Sequence, residues 1–252
     1  MIVIDNLSKH FAGVRAVDGC SFEIEKGKIT GLIGPNGAGK TTLFNTVAGF
    51  YKPTSGRISL QGEDITGLSP DRLFHRGLLR TFQIPREFGR MTVLENLIVV
   101  PPQQRGENLF SSWFRWGQVR AQERELVDRA EEVLAQLNLT HLREELAGNL
   151  SGGQKKLLEL GRTMMTPARV VLLDEPAAGV NRTLLAELAT AIQTLNRDGG
   201  YTFCIIEHDM DLIEQLCDWV VVMAQGKVLL QSTMDEVRRD RTVQEAYLGN
   251  AI

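Results

Sequence analysis

One turn constrains this chain more than any other stretch. Ile29-Thr-Gly-Leu-Ile33 is an apolar run of strand type, Gly34-Pro-Asn-Gly-Ala-Gly-Lys-Thr41 follows it directly, and a helical pattern begins at Lys40. Gly-x4-Gly-Lys-Thr between a strand and a helix is the spacing of a phosphate-binding loop. Glycines let successive backbone N–H groups turn inward, with no side chain in the way of a phosphate. The helix start adds a partial positive charge. Asn36, Gly37, Ala38 and Gly39 form the cradle, and Thr42 closes it. Lys40 supplies a full charge for the β- and γ-phosphates, and the Thr41 hydroxyl can ligate Mg²⁺.

A second run completes the chemistry. Val170-Val-Leu-Leu173 is continuously apolar, the mark of a strand covered on both faces of a parallel sheet, and it ends in Asp174-Glu175. Asp174 is suited to hold Mg²⁺ through water, and Glu175 to polarise an attacking water as general base.

Strands and helices alternate around these runs, which predicts an α/β core. Ile2–Ile4, Ser21–Ile24 and Arg57–Leu60 read as short strands of an antiparallel β subdomain. Tyr201–Ile206 and Trp219–Met223 read as further strands, with a turn at Gln225-Gly226. The middle third is helical in character: Leu126, Ala130, Val133, Leu134 and Leu137 share one face. Another helix carries Leu184, Leu188, Ala191 and Leu195 and stops at Asp198-Gly-Gly200. Residues 101–117, with Trp113, Phe114 and Trp116, suggest an irregular insertion or a short helix.

The 252 residues carry a net charge of −3, which gives no support to wrapping of nucleic acid or anionic lipid. Cys20, Cys204 and Cys217 have no metal-ligand rhythm and read as reduced core thiols. No signal peptide is expected at Met1–Asp5, and no stretch approaches the ~20 apolar residues of a membrane span.

Leu150-Ser-Gly-Gly-Gln154 precedes another helical run, Lys155–Met164. Ser151 suits an N-cap, and the two glycines expose backbone N–H groups at a helix start. Together, the phosphate loop, this Ser-Gly-Gly-Gln turn, the Asp-Glu strand end and the downstream His208 resemble the ABC ATPases over essentially the whole chain. The resemblance implies a P-loop NTPase core of ABC ATPase type with an antiparallel β subdomain and an α-helical subdomain. The core and β subdomain would take 1–82 and 168–252, and the helical part about 83–167.

The resemblance also assigns roles. Ser151, Gly152, Gly153 and Gln154 would act in trans, on ATP held by a partner's loop in a head-to-tail dimer. Gln83 would reach Mg²⁺ or the attacking water, His208 the γ-phosphate, and Phe11 the adenine, with Ala16 lining the same face. Asn181 departs from the family's usual aspartate in Ala177-Ala-Gly-Val-Asn181: it can accept and donate hydrogen bonds but carries no charge. Asp174-Glu-Pro-Ala-Ala-Gly179, Arg80-Thr-Phe-Gln83 and Glu245-Ala-Tyr-Leu-Gly249 are similar to the ATPases of branched-chain and neutral amino-acid importers. That implies a peripheral subunit at the cytoplasmic face of the inner membrane. It would pair with a second ATPase subunit and with transmembrane permease subunits, fed indirectly by a substrate-binding protein. The ATPase of a lipopolysaccharide-type exporter and a soluble, non-transport ABC ATPase stay open as alternatives.

Overall fold

The computed structural model describes residues 1–81, 86–107 and 116–248. In chain order the elements are β1 (Ile2–Phe11), β2 (Val14–Ile24), β3 (Ile29–Ile33), α1 (Lys40–Val47), β4 (Ser55–Leu60), β5 (Glu63–Asp64), α2 (Pro70–His75) and β6 (Leu78–Arg80). Then come α3 (Val93–Ile98), α4 (Trp116–Gln136), α5 (Gly152–Met164), β7 (Val170–Asp174), α6 (Arg182–Arg197) and β8 (Thr202–Ile206). The chain closes with α7 (Met210–Leu216), β9 (Trp219–Ala224), β10 (Lys227–Ser232), α8 (Met234–Arg239) and α9 (Arg241–Leu248). They form two compact units, one of Met1–Gln83, Ala168–Ala178 and Ile192–Ile252, the other of Ile84–Pro167 and Gly179–Ala191.

The first unit holds two sheets. One is antiparallel in the order β2-β1-β4-β5, and the other runs β10-β9-β3-β8-β7-β6. In the second sheet β9, β3, β8, β7 and β6 are parallel, and β10 pairs antiparallel with β9. Ile2, Ile24 and Ile58 of the antiparallel sheet share one buried cluster with Leu43 and Phe44 of α1 and with Leu32, Leu172 and Ile206 of the parallel sheet. Each such side chain contributes about 1.5–3 kcal/mol on burial. Ile33, Val220 and Val222 pack on a second cluster with Ile213 of α7, Val237 of α8 and Val243 of α9. With apolar layers on both faces, the central strands have no wet side, so β3, β7 and β8 are buried at every position.

The second unit is helical. Thr92 and Glu95 form a reciprocal capping box that starts α3, and Val119, Ala130, Val133 and Leu134 are the buried stripe of α4. At Gly161 on α5, a Cβ would stand 2.8 Å from Leu137 and 3.2 Å from Leu97, so glycine sets how closely these helices approach. Within the 101–117 stretch, Arg105–Glu107 is a 3₁₀ turn and Trp116 opens α4, its ring exposed beneath Arg120. Trp113 and Phe114 lie outside the described residues. Among the described residues no helix is long and apolar enough to cross a membrane. The three cysteines are unpaired, and burial pushes Cys20 up to about 11 and Cys217 up to about 12.

Candidate nucleotide site

Parallel strands end at one edge of a sheet, and this edge is where the sequence places its chemistry. Leu32 and Asp174 both lie level with Ile206 across β3, β8 and β7. Gly34 therefore begins the loop beyond β3, Glu175 follows β7, and His208 follows β8, all on the same side. A cleft of about 410 Å³ opens there, lined by Ala16, by Asn36 to Thr42, and by Glu175 and His208.

The loop geometry explains its glycines individually. Gly39 sits at φ 100° as N-cap of α1, and a Cβ there would lie 2.2 Å from the Ala16 carbonyl oxygen. Gly34, at φ +150°, would bring its Cβ to 2.1 Å from the Met223 carbonyl oxygen. The Gln225-Gly226 turn braces the loop: the Gly226 N–H donates to the Ala38 carbonyl at 3.0 Å, and the Gly226 carbonyl accepts from the Asp18 N–H at 2.8 Å. Lys40 is buried and donates from Nζ to the carbonyls of Gly34 (2.7 Å) and Pro35 (3.1 Å). Burial lowers its pKa against the opposing pull of Glu175 and Asp174.

The carboxylates differ in setting. Asp174 is buried at the end of β7, and its Oδ2 accepts from Arg80 Nη2 at 2.6 Å. Glu175 is partly exposed, and its Oε1 lies 3.2 Å from His208 Nε2. Glu175 also holds φ 49°, a left-handed conformation that costs a non-glycine residue roughly 1 kcal/mol or more. The turn is kept in place by bonds from Glu175 N–H to the Ile206 carbonyl (2.9 Å) and from Ala178 N–H to the Glu175 carbonyl (3.1 Å).

Glu207 is a residue that sequence reasoning passed over. It is buried, and its two oxygens accept from the N–H of Ala177 (2.6 Å) and of His208 (3.0 Å). Burial pushes its carboxyl above the ordinary range despite these bonds. It thus clamps the turn after Glu175 to the segment bearing His208. A glutamate ending an apolar strand was the available signal. Glu207→Ala strands two backbone donors, a loss of roughly 2 kcal/mol. In a chain of this length that corresponds to a melting temperature about 4–8 °C lower, read by scanning calorimetry. An unchanged melting temperature would remove the clamp.

Other expected residues lie elsewhere. Phe11 does not line the cleft; it is exposed, edge-on to Tyr51 at 5.2 Å, with Lys9 Nζ 4.9 Å over its ring. Gln83 lies outside the described residues. Ser151, Gly152, Gly153 and Gln154 belong to the helical unit. There Ser151 and Gln154 form a capping box at the start of α5, and a Cβ on Gly153 would stand 2.6 Å from the Leu184 side chain. Gly152 is exposed beside the cap. Asn181 has a local task, its Oδ1 accepting from the Leu184 N–H at 3.0 Å at the start of α6, which needs no charge.

Known proteins are similar to this chain over most of its length. The family model described as "ABC transporter" matches residues 17–178. The high-affinity branched-chain amino acid transport ATP-binding protein BraF of Pseudomonas aeruginosa is 40% identical, over 100% of this chain and 98% of that protein. The probable branched-chain amino acid transport ATP-binding protein LivG of Archaeoglobus fulgidus is 42% identical over 97% of this chain and 93% of its own. Among solved structures, the ADP conformation of MJ1267, an ATP-binding cassette of an ABC transporter, superposes with a TM-score of 0.83 at 38% identity, covering 99% of this chain and 98% of that one. A phosphate loop at the end of a parallel strand, an acidic pair two strands away and a capped Ser-Gly-Gly turn, in a chain that such relatives match nearly end to end, place it in the ABC transporter family as one of its ATP-binding cassettes.

Proposed function

We propose that this chain hydrolyses ATP to power an importer of branched-chain or other neutral amino acids. The observation that carries the reading is the meeting of Lys40, Glu175 and His208 in one cleft with the loop Asn36 to Thr42. The amino-acid substrate class rests on relatives named as branched-chain amino acid transport ATP-binding proteins, which match 100% and 97% of the chain.

The triphosphate tail would lie in the loop, where inward N–H groups and Lys40 meet its charge. Lys40 now donates to neutral carbonyls of its own loop, and phosphate oxygens are stronger, charge-assisted acceptors. Thr41 and Asp174 fit Mg²⁺, which takes hard oxygen donors. Thr41 is exposed to the cleft, and among the described residues the bonds to Asp174 engage Oδ2 alone. Gln83 would be a further oxygen ligand. When bound, the metal supplies charge neutralisation on the phosphates. Glu175 would polarise the attacking water, and His208 would hold its Nε2 toward Glu175 and the γ-phosphate. Ala16, which lines the cleft, would take the adenine side.

The Ser151, Gly152, Gly153 and Gln154 turn offers N–H groups at a helix start and would close on nucleotide held by a second cassette, identical or related. Phe88, Met91, Val99 and Leu146 leave large apolar side chains exposed on the helical unit, which suits contact with transmembrane permease subunits. The chain would then be peripheral at the cytoplasmic face, with a substrate-binding protein acting upstream.

Lys40→Ala tests the reading. Purified wild-type chain is expected to bind Mg-ATP, and the variant to lose at least about a hundredfold in affinity by calorimetric titration, as removal of a charged phosphate ligand implies. Equal binding by both, or none by the wild type, would overturn the assignment.

A further inference from the structure

The Arg80–Asp174 pair stands apart from the other described ion pairs: its side chains are only 6% and 8% exposed. The Arg80 fork has two partners. Nη2 donates to Asp174 Oδ2 at 2.6 Å, and Nη1 donates to Asn45 Oδ1. Asn45 in turn donates from Nδ2 to the Thr41 carbonyl at 2.9 Å. The Phe50 ring lies 5.6 Å from the guanidinium. A continuous bridge therefore runs from Thr41 through Asn45 and Arg80 to Asp174, joining helix α1 to strand β7. Its ends are the two residues whose oxygens suit a divalent cation.

The charges add a second point. Lys40 feels both Glu175 and Asp174, so with Arg80 the site holds two cations and two carboxylates. Without Arg80 the balance becomes −1, which repels a polyphosphate and attracts a divalent cation.

We propose that Arg80 is a positioning residue of the nucleotide site: its fork fixes Asp174 through Oδ2, leaving Oδ1 for the divalent cation, and its charge offsets the carboxylates that would repel metal-free nucleotide. The inference rests on the ATP-binding reading above. Arg is suited to the task because its planar fork spans two acceptors, whereas an ammonium offers one point of charge.

The experiment uses the purified full-length chain, a fluorescent ADP analogue titrated in EDTA or with Mn²⁺, and steady-state Mg-ATP turnover. Arg80→Met is expected to weaken metal-free binding about tenfold, while the factor by which Mn²⁺ tightens binding rises at least about threefold. Arg80→Lys keeps the charge, so metal-free affinity should stay within about twofold of wild type. Its turnover should nonetheless fall at least about tenfold, because one ammonium cannot hold both Asp174 and Asn45. A mere packing role would weaken binding equally with and without Mn²⁺, and that result overturns the proposal. So does wild-type turnover in Arg80→Lys, which decides alone if Arg80→Met does not fold. A wild-type chain that binds no nucleotide would sink the ATP reading itself, whereas unaltered Arg80 variants beside a binding wild type would sink only this inference.

Discussion

Glu175→Gln is expected to retain ATP and accumulate as a closed dimer while hydrolysis falls by about 10²–10⁴-fold, the usual worth of a positioned general base. The amide keeps the shape of the side chain and its place beside His208 Nε2, 3.2 Å away in the native chain, but it can no longer accept a proton from water. Binding should survive because the loop and Lys40 are untouched. The left-handed backbone at Glu175 should survive too, since it is held by main-chain bonds to Ile206 and Ala178 rather than by the carboxylate. Two measurements check this together: single-turnover hydrolysis and the oligomeric state with ATP by light scattering. Turnover at the native rate would take Glu175 out of the role of base.

Gly39→Ala should be among the most damaging small substitutions in the loop. A methyl there needs φ 100° and would sit 2.2 Å from the Ala16 carbonyl oxygen, so strand β2 or the start of α1 must shift. A loss of about 3 kcal/mol is expected, or roughly 6–12 °C in melting temperature, together with nucleotide affinity. Gly37→Ala is the control. Gly37 also has a positive φ, +79°, but nothing lies within 4 Å of its Cβ position, so only backbone strain of about 1 kcal/mol applies. Equal losses in the two variants would show that strain alone, and not the contact with Ala16, sets the glycine requirement.

The site was legible in the sequence where one segment carries its own signal. The phosphate loop, the apolar strand Val170–Asp174 and the Ser151 cap each state their geometry locally. Elements failed to show where neighbours decide. Strand β1 was read as Ile2–Ile4 but extends to Phe11, because register shifts between Ile4 and Leu7, Leu7 and Lys9, and Lys9 and His10 break the alternation that marks a strand. Strand β6 has only three residues, too few for any period, yet it delivers Arg80 to Asp174. The contact between Glu175 and His208, 33 residues apart, is set by β7 and β8 lying side by side. Glu207 announces itself only as a glutamate at the end of an apolar strand; the partners it clamps are backbone groups, which no side-chain pattern specifies.

The Gln225-Gly226 turn has a bearing on how fast the cassette can cycle. By gripping Ala38 on one side and Asp18 on the other, it fixes the backbone of the cradle through main-chain bonds that no ligand has to supply. Little ordering entropy is then left for the arriving phosphates to overcome, and less of their attraction is spent on shaping the receptor. Capture of nucleotide should accordingly be quick and its heat-capacity change small.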